Sequence, residues 1–437
     1  MKKVDLLIIG AGPGGYRAAE YAARQGLQVV IVEQDLVGGT CLNRGCIPTK
    51  TYVHSATFAE AVERQQQVTD QLRSGVEQLL SAPGITLLRG RASFVDACTV
   101  SVDALTTVAA RHVIIATGSR PKFIAADGLD DARVMTSTQL LQLRTQPRRL
   151  CIIGAGVIGM EFASVFQRFG TEVTVIEYLK ECLPMLDSDV AKRLRKLLER
   201  RGITFRMKTA VQSLSDIDAD VILVATGRQP YTEGLNLQAA GIATDERGFI
   251  LVDDNFLVLD ALQERSKKQE ARSKSTHTSQ FSPLSSQFVY AIGDVNGRQL
   301  LAHAAEMQAV RAVNHIVGRS DGIRFDIMPA AIFTQPEAAC VGRSEDQLKA
   351  EGTSYRCRKA FWRANGKALA MNEGEGMLKL LSDAADRIVG CHAFGAHAAD
   401  LVQEASVLMC RDTTVSQLRD MVHIHPTLSE VLLAATL

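Results

Sequence analysis

Cys41 and Cys46 are the residues whose type and spacing best suit covalent chemistry, because a thiol pair can take up and release two electrons. If their segment is helical, residues five apart are separated by about 7.5 Å along the axis, beyond the usual Cα reach of a disulfide. A bridge needs a distorted turn, which Gly45 permits, and a strained bridge is easily reduced. The spacing is compatible with a redox-active pair, with two unpaired core thiols or with part of a structural metal site.

A metal site needs four ligands, and the sequence holds no CxxC or HxxxH motif that would complete one, so no metal is predicted. Lys50 follows Cys46 by four residues, and on a helix the two share a face. Its ammonium would favour a thiolate or an anionic cofactor one turn away, although the same spacing suits a surface lysine. The other cysteines, such as Cys151 and Cys340, stand singly in apolar runs and are predicted to be reduced core thiols of a cytosolic protein.

His425 and Glu430 form a second candidate group, near the end of the chain. Because the residue before a proline avoids the helical region, His425 is expected in an extended segment just before a helix. Thr427 and Glu430 have the spacing of a capping box, which alone could explain the glutamate. The alternative is a general base, His425, oriented by Glu430.

Two stretches share a strand, a glycine turn, a helix, a second strand and an acidic residue, and they could position this chemistry on nucleotides. In both copies the acid lies 23 residues after the first glycine. The first glycine makes a tight turn, the second lets the backbone approach a pyrophosphate, and the third lets helix and strand pack. The residues are Gly10, Gly12, Gly15 and Glu33 in the first copy, and Gly154, Gly156, Gly159 and Glu177 in the second.

Each copy is interpreted as a Rossmann unit, with a βαβ unit that binds no nucleotide as the alternative. The acid that ends the second strand accepts a hydrogen bond from a ribose 2'-OH and would repel a 2'-phosphate. Glu177 therefore favours NAD over NADP, and Lys180 is a mild argument against. Three further strands run into glycine turns that could approach a ligand or be ordinary tight turns, at 117–119, 226–228 and 293–294.

Composition limits the remaining possibilities. The chain has 437 residues, 46% of them hydrophobic, and a formal net charge of +1, which fits about three globular domains and gives no reason to expect a nucleic-acid or membrane partner. The apolar run at 4–9 is too short for a secretory signal, so we predict a buried strand and a cytoplasmic protein. Residues 260–286 are polar and are expected to form an exposed loop, helical at its start and otherwise disordered.

The order of these motifs resembles that in the flavoprotein disulfide reductases. The sequences GGTCLNRGCIPTK and HPTLSE are most similar to those of dihydrolipoamide dehydrogenases. The resemblance covers nearly the whole chain and implies an α/β protein with two Rossmann-like dinucleotide-binding domains and a C-terminal α+β dimerisation domain. The implied domains are 1–147 for FAD, 148–253 for NAD, 254–325 for the polar insertion and the return to the FAD domain, and 326–437 for the dimer interface.

The resemblance also implies cofactors and roles. FAD is expected along a set of residues of the first unit: Gly10, Gly12, Gly15, Glu33, Gly39, Thr40, Lys50, Ala116, Thr117, Gly118, Asp294 and Ala302. NAD is expected along Gly154, Gly156, Gly159, Glu177 and Gly227. Asp294 is expected on the ribityl chain. Lys50 is expected near flavin N5, paired with Glu161.

The implied reaction is oxidation of protein-bound dihydrolipoamide through a Cys41–Cys46 disulfide, with His425 and Glu430 serving the partner's cysteines in a homodimer. The expected partner is the lipoyl-bearing protein of a 2-oxoacid dehydrogenase or glycine cleavage complex. Reductases resembling those for glutathione or mercuric ion are the alternatives. Two stretches depart from the family pattern: the NAD domain is shortened near 211–218, and the long polar segment replaces a short link.

Overall fold

The computed structural model describes residues 2–259 and 289–437. The predicted loop at 260–286 lies outside the described residues. The chain divides into two compact units, the first of Met1–Pro48, Arg64–Lys122 and Arg228–Ile323, and the second of Thr49–Glu63, Phe123–Gly227 and Arg324–Leu437. In the described ranges no helix is both long and apolar enough to cross a membrane.

The first unit is organised around a seven-stranded sheet whose parallel part carries the first glycine turn. Its strands, in spatial order, are Ile85–Arg89, Val29–Glu33, Lys2–Ile9, Thr106–Ile115, Thr99–Val102 and Ala92–Asp96, with Val289–Ala291 also paired to Thr106–Ile115. The last two strands of this path run antiparallel to their neighbours. Val29–Glu33 is buried at every residue, as expected for a central parallel strand covered on both faces.

Helices and a short ribbon complete this part of the chain. The helices are Pro13–Arg24, Gly39–Arg44 and Ala302–Ile316, with 3₁₀ turns at Leu237–Ala240 and Gly293–Asn296. Two further helices, Cys46–Val53 and Phe58–Leu80, contain residues of both units. Pro13 opens the first helix, where its missing N–H costs no hydrogen bond. The ribbon pairs Ser119–Pro121 with Arg228–Pro230 in antiparallel register.

The second unit holds a five-stranded parallel sheet with the second glycine turn. Its strands, in spatial order, are Thr204–Arg206, Glu172–Ile176, Arg149–Ile153, Val221–Val224 and Val134–Met135. The accompanying helices are Ser137–Leu140, Val157–Arg168 and Ser188–Arg200. Asp187 caps the last of these by accepting a hydrogen bond from the Asp189 N–H at 3.1 Å.

The same unit contains an antiparallel sheet that forms the C-terminal α+β region. Its strands, in spatial order, are Ala330–Ile332, Ala338–Gly342, Ile388–Phe394, Met377–Ser382 and Arg356–Phe361. The helices are Glu345–Ala350, Gly366–Ala370, Ala398–Cys410, Val415–Arg419 and Glu430–Ala434, with a 3₁₀ turn at Trp362–Ala364. Trp362 is fully buried in its core and donates its indole N–H to the Ala396 carbonyl at 3.1 Å. The predicted α/β fold, with two Rossmann-like units and a C-terminal α+β region, is therefore confirmed.

Candidate functional site

The cysteine segment consists of two short helices broken at Gly45. Cys41, half-buried, lies in Gly39–Arg44, and Cys46, exposed, begins Cys46–Val53. Gly45 has φ −145° and ψ −113°, and a Cβ there would lie 2.9 Å from the Thr40 carbonyl oxygen. The distorted turn predicted at Gly45 is thus present, and a larger residue would disturb it.

This segment packs directly on the first glycine turn. The Gly38 N–H donates to the Ala11 carbonyl at 2.7 Å. Gly39 has φ +59°, and a Cβ on it would lie 2.7 Å from Gly12 Cα, so the close approach needs glycine. Asn43 ties the first short helix down by donating to the Val37 carbonyl at 2.9 Å. The cysteines are therefore held beside the turn predicted to bind FAD.

The first glycine turn shows why its residues have no side chains. Gly10 has φ +102°, which favours glycine. A Cβ on Gly15 would lie 1.9 Å from the Gly10 carbonyl oxygen, so the helix can pack this closely on the strand only because residue 15 is a glycine. Glu33 is 9% exposed and accepts from the Ala11 N–H at 2.7 Å and from the Asp35 N–H at 2.9 Å. Sequence reasoning missed this second role of Glu33, which is to brace the turn itself.

The second glycine turn repeats this geometry. Gly154 has φ +106°, and a Cβ on Gly159 would lie 2.0 Å from the Gly154 carbonyl oxygen. Glu177 accepts from the Ala155 N–H at 2.6 Å and from the Leu179 N–H at 2.7 Å. In both units the glycines and the glutamate at equivalent positions therefore have the same structural roles, as their equal spacing predicts.

The two turns differ in how closely the chain covers them. A Cβ on Gly12 would have Gly39 Cα 3.9 Å away, whereas a Cβ on Gly156 would meet nothing within 4 Å. Gly12 and Gly156 share nearly the same extended backbone, with φ −73° and −76°, which any residue can adopt. Backbone strain therefore does not explain these two glycines, and the open space beside each is compatible with the predicted approach of a pyrophosphate.

The residues of the first unit fit an FAD molecule. Among the described side chains, Thr117 Oγ1 is one of the few buried polar atoms that lack a hydrogen-bond partner, and such an atom calls for a ligand or water. Gly118 has φ +72°, and a Cβ there would meet nothing within 4 Å. Ala116 precedes them at the end of Thr106–Ile115, and Ala302 begins the helix Ala302–Ile316.

Asp294 lies in the turn Gly293–Asn296 and is held from one side. Ser119 Oγ donates to Asp294 Oδ2 at 2.5 Å. Its carboxylate keeps acceptor capacity for a ligand hydroxyl, since each carboxylate oxygen has two lone pairs. The Asp294 carboxylate is therefore compatible with the expected contact to a ribityl hydroxyl.

The second unit fits NAD. A Cβ on Gly227, like one on Gly156, would meet no atom within 4 Å, and the φ of +120° at Gly227 requires glycine. The helix Val157–Arg168 begins at the turn, so its N-terminal amides could bind a phosphate group there. Glu177 holds its carboxylate at the turn by accepting from the Ala155 N–H, which is compatible with its predicted role of repelling a 2'-phosphate.

Lys50 and Glu161 form the ion pair that the resemblance implies. Lys50 Nζ lies 2.9 Å from Glu161 Oε1 and 2.8 Å from Oε2, and Glu161 is 4% exposed. The Phe333 N–H donates to Glu161 Oε1 at 2.9 Å, and the Phe333 ring centroid lies 4.7 Å from Nζ. The ammonium is therefore fixed in place, since a buried carboxylate needs such partners.

His425 and Glu430 are also in contact, and both interpretations of the glutamate apply. His425 Nδ1 donates to Glu430 Oε1 at 2.9 Å, and the Thr427 N–H donates to Glu430 Oε2 at 2.8 Å. These two bonds, the backbone one first, lower the pKa of Glu430. Among the described residues Nε2 of His425 has no partner, and the side chain is 79% exposed, so this nitrogen can accept a proton from a thiol.

Two residues near these groups were not singled out from the sequence as functional. Arg228 contacts Ser119 and Asp294 in the first unit, and His423 bonds Glu404 in the second. The sequence offered a signal for Arg228, because in each of the turns TGS at 117–119 and TGR at 226–228 a polar residue follows the glycine. Nothing in the local pattern indicates His423 as a buried group.

Comparisons with known proteins identify matching family models and similar proteins. The family model described as pyridine nucleotide-disulphide oxidoreductase matches residues 4–309, and the dimerisation domain of the same family matches 328–436. A mitochondrial dihydrolipoyl dehydrogenase of Pisum sativum is 34% identical, covering 99% of this chain and 91% of its own length. Dihydrolipoyl dehydrogenase 3 of Pseudomonas putida is 34% identical, covering 100% and 98%.

Among solved structures, the HOCl-induced flavoprotein disulfide reductase RclA from Escherichia coli is similar to this chain. It has 28% sequence identity and a TM-score of 0.87, and the match covers 99% of both chains. FAD and NAD, the cofactors predicted from the sequence, are those of the matched family.

Proposed function

Because the chain belongs to the pyridine nucleotide-disulphide oxidoreductases, we propose that it is a dihydrolipoyl dehydrogenase, which oxidises protein-bound dihydrolipoamide and reduces NAD⁺. The observation that carries the proposal is the His425–Glu430 pair, with its exposed Nε2, in a chain that also holds Cys41 and Cys46 beside an FAD turn. The 34% identity to named dihydrolipoyl dehydrogenases over nearly the whole chain supports the same substrate.

The substrate half of the reaction needs a base and a disulfide. His425 Nε2 takes the proton of one dihydrolipoyl thiol, and the resulting thiolate attacks Cys41 Sγ in the Cys41–Cys46 disulfide. The S–S bond breaks, and Cys46 leaves as a thiolate. The second substrate thiol then attacks the mixed disulfide at the substrate sulfur, which releases oxidised lipoamide and leaves Cys41 reduced.

Two electrons then reside on the cysteine pair. FAD, when bound, would supply the two-electron chemistry that couples this thiol pair to NAD⁺, so that the disulfide is restored, NADH forms and one proton is released to solvent. Glu430 keeps the His425 imidazole oriented and stabilises its cationic form. Lys50, fixed by Glu161, supplies positive charge on the helix that begins at Cys46.

A homodimer is part of this proposal. The dimerisation domain of the family is present at 328–436, and we infer that His425 serves the cysteines of the partner subunit. The partner protein would be the lipoyl-bearing component of a 2-oxoacid dehydrogenase or glycine cleavage complex. A cytoplasmic location stays a prediction.

A panel of paired substrates tests the reaction. Turnover is measured with dihydrolipoamide and NAD⁺ or NADP⁺, and in reverse with NADH or NADPH and lipoamide, oxidised glutathione or mercuric ion. We expect dihydrolipoamide with NAD⁺ to exceed dihydrolipoamide with NADP⁺, and NADH with lipoamide to exceed the other reverse pairs, by at least about 10²-fold in kcat/KM. Preference for NADPH with oxidised glutathione would contradict the proposal and favour a reductase similar to glutathione reductase.

Glu177→Gln tests whether this carboxylate selects NAD⁺ over NADP⁺. Removing the charge is expected to reduce the NAD⁺ to NADP⁺ ratio of kcat/KM by about tenfold, because the repulsion of a 2'-phosphate is lost. Glu172→Gln, an exposed residue of the same strand, is the matched control and should leave the ratio unchanged. An unchanged ratio in Glu177→Gln would show that this carboxylate does not select the nucleotide.

A further inference from the structure

Arg168 is a cation, at the end of the helix that follows the second glycine turn, that the proposed mechanism does not use. Its Nη2 donates to the Tyr52 carbonyl at 2.9 Å and to the Ser55 carbonyl at 2.8 Å. Both carbonyls lie at or just beyond the C-terminal end of the helix Cys46–Val53, which carries Lys50. In the described ranges Arg168 pairs with no carboxylate, so its shortest hydrogen bonds are to backbone carbonyls.

The end of this short helix needs hydrogen-bond donors, because the last carbonyls of a helix have no partner within it. The Lys50 carbonyl accepts from the His54 N–H at 3.1 Å, and the Thr51 carbonyl accepts from Ser55 Oγ at 2.8 Å. Arg168 is a donor that comes from another helix. A cation is also favoured at the negative end of the helix dipole, so charge and hydrogen bonding both favour Arg168 at this place.

The helix that ends at Arg168 also holds the Lys50 side chain. Glu161 and Arg168 are seven residues apart and therefore share a helix face. Glu161 binds the Lys50 ammonium at 2.8 and 2.9 Å, while Arg168 binds the backbone two residues further along the same short helix. Since a helix of eight residues is marginal by itself, such contacts must set its direction.

Aromatic packing also holds this helix, but in a less directional way. The Tyr52 side chain is fully buried, and its ring centroid lies 6.0 Å from that of Phe58 and 6.4 Å from that of Phe166. Burial of apolar surface is non-directional, whereas a hydrogen bond weakens steeply as its angle departs from linear. Arg168 therefore contributes an orientation of the helix end that packing alone does not define.

We propose that Arg168 is a positioning residue for Lys50: by holding the C-terminal end of the helix Cys46–Val53, it sets where the Lys50 ammonium lies. The inference rests on the proposed function, because it takes Lys50 to lie near flavin N5, as the family resemblance implies. A cation there stabilises the negative charge of reduced flavin. Glu161 and Arg168 then have separate tasks, since one holds the ammonium and the other holds the backbone that carries it.

The midpoint potential of the step that bleaches the flavin tests this inference without turnover. Holoenzyme is titrated anaerobically with dithionite against a reference dye. Arg168→Met keeps an unbranched side chain but removes the donors, and it should lower the potential by about 30 mV, a tenfold change in the equilibrium constant of a two-electron couple. Arg168→Lys should lower it about half as far, because an ammonium can still donate to a carbonyl.

Amide hydrogen exchange gives a second readout, which does not need the cofactor. Exchange in the segment 50–56 should be at least about tenfold faster in Arg168→Met than in wild type, with or without FAD. Arg201→Met is the matched control for both measurements. Arg201 Nη1 donates to the Gln335 carbonyl at 2.6 Å and Arg168 Nη1 to Gln335 Oε1 at 3.4 Å, but of the two only Arg168 binds the end of the Lys50 helix. The control should match wild type in both measurements.

An unchanged potential in Arg168→Met at full FAD content would overturn the inference, and faster exchange with an unchanged potential would do so too, because Arg168 would then be only structural. If that variant loses FAD, a wild-type potential in Arg168→Lys overturns it instead. Dithionite reduces the flavin whatever the natural substrate is. A wild type that shows the expected shifts but does not turn over dihydrolipoamide would therefore support this inference and contradict the proposed function.

Discussion

Two histidine–glutamate pairs lie two residues apart in the last segment of the chain, and they differ in what their nitrogens can do. His423 Nε2 contacts Glu404 Oε1 at 3.1 Å and Nδ1 contacts the Met421 carbonyl at 3.0 Å, with the side chain 7% exposed. His425 Nδ1 contacts Glu430 at 2.9 Å, and its side chain is 79% exposed.

The comparison separates a structural pair from one that can do chemistry. Both nitrogens of His423 face oxygen acceptors, so neither offers a lone pair to a substrate. His425 uses one nitrogen for orientation and exposes the other, which is the arrangement that a general base requires. Composition alone would not distinguish the two pairs, because each is a histidine with a nearby carboxylate.

The largest expected effect comes from the apolar residue between the two histidines. Ile424 is 79% exposed, and Val422 is fully exposed, which fits a surface covered by the partner subunit. If the proposed homodimer buries this surface, Ile424→Asp should convert it to a monomer and reduce turnover by more than about 10³-fold, since it would bury two charges at the contact. Size-exclusion chromatography with light scattering and steady-state assays measure both effects.

Leu105→Asp is the control for that substitution, because Leu105 is 89% exposed in the first unit. It should leave both the molecular mass and the turnover unchanged. A dimeric, active Ile424→Asp protein would break the link between this surface and the function of His425.

Replacing each histidine in turn is the next most sensitive comparison. His425→Gln should reduce kcat/KM for dihydrolipoamide by about 10²- to 10⁴-fold, the range for loss of a general base. His423→Gln should change kcat/KM by less than about threefold and instead reduce the melting temperature by a few degrees, because a buried hydrogen-bonded group is lost. Equal effects on turnover would mean that the two pairs do not differ as described.

The glutamates should show a smaller version of the same contrast. Glu430→Gln is expected to reduce kcat by about tenfold to 10²-fold, since the imidazole loses its charged partner but keeps a hydrogen bond. Glu404→Gln should leave kcat within about twofold. Pre-steady-state reduction by dihydrolipoamide measures this step directly, and a larger effect for Glu404→Gln would reverse our assignment of the pairs.

The smallest expected effect is on stability in acid. The Thr427 N–H and then His425 hold the pKa of Glu430 below its ordinary value, so its contribution is present above the unfolded value of about 4.3 and is lost as the pH falls through the folded value. The melting temperature of wild type should therefore fall more steeply below about pH 5 than that of Glu430→Gln. Parallel acid limbs in a calorimetric titration would show that the pair does not stabilise the fold.

The sequence predicts the glycine turns and the cysteine segment well for a physical reason. A glycine is required wherever φ is positive or a Cβ would strike backbone, as at Gly10 and Gly15, and such requirements appear at fixed spacings. Gly45 is predictable on the same ground, because a five-residue cysteine spacing cannot close on a regular helix. These features depend on neighbours in the chain.

Contacts between distant residues could not be predicted in this way. Ser119 and Arg228 are 109 residues apart, and His423 and Glu404 are 19 apart, with no periodic pattern that joins either pair. Their meeting depends on how strands and helices pack, which spacing does not encode. The pairing of Lys50 with Glu161, 111 residues away, was available only through the family resemblance.

The most direct test of the central claim, that Cys41 and Cys46 pass electrons from a dithiol to NAD⁺, is anaerobic titration of the purified protein with dihydrolipoamide. We predict prompt long-wavelength absorbance from a thiolate beside oxidised flavin, followed by rapid reoxidation when NAD⁺, but not NADP⁺, is added. A protein that stays yellow and is indifferent to dihydrolipoamide would contradict the account.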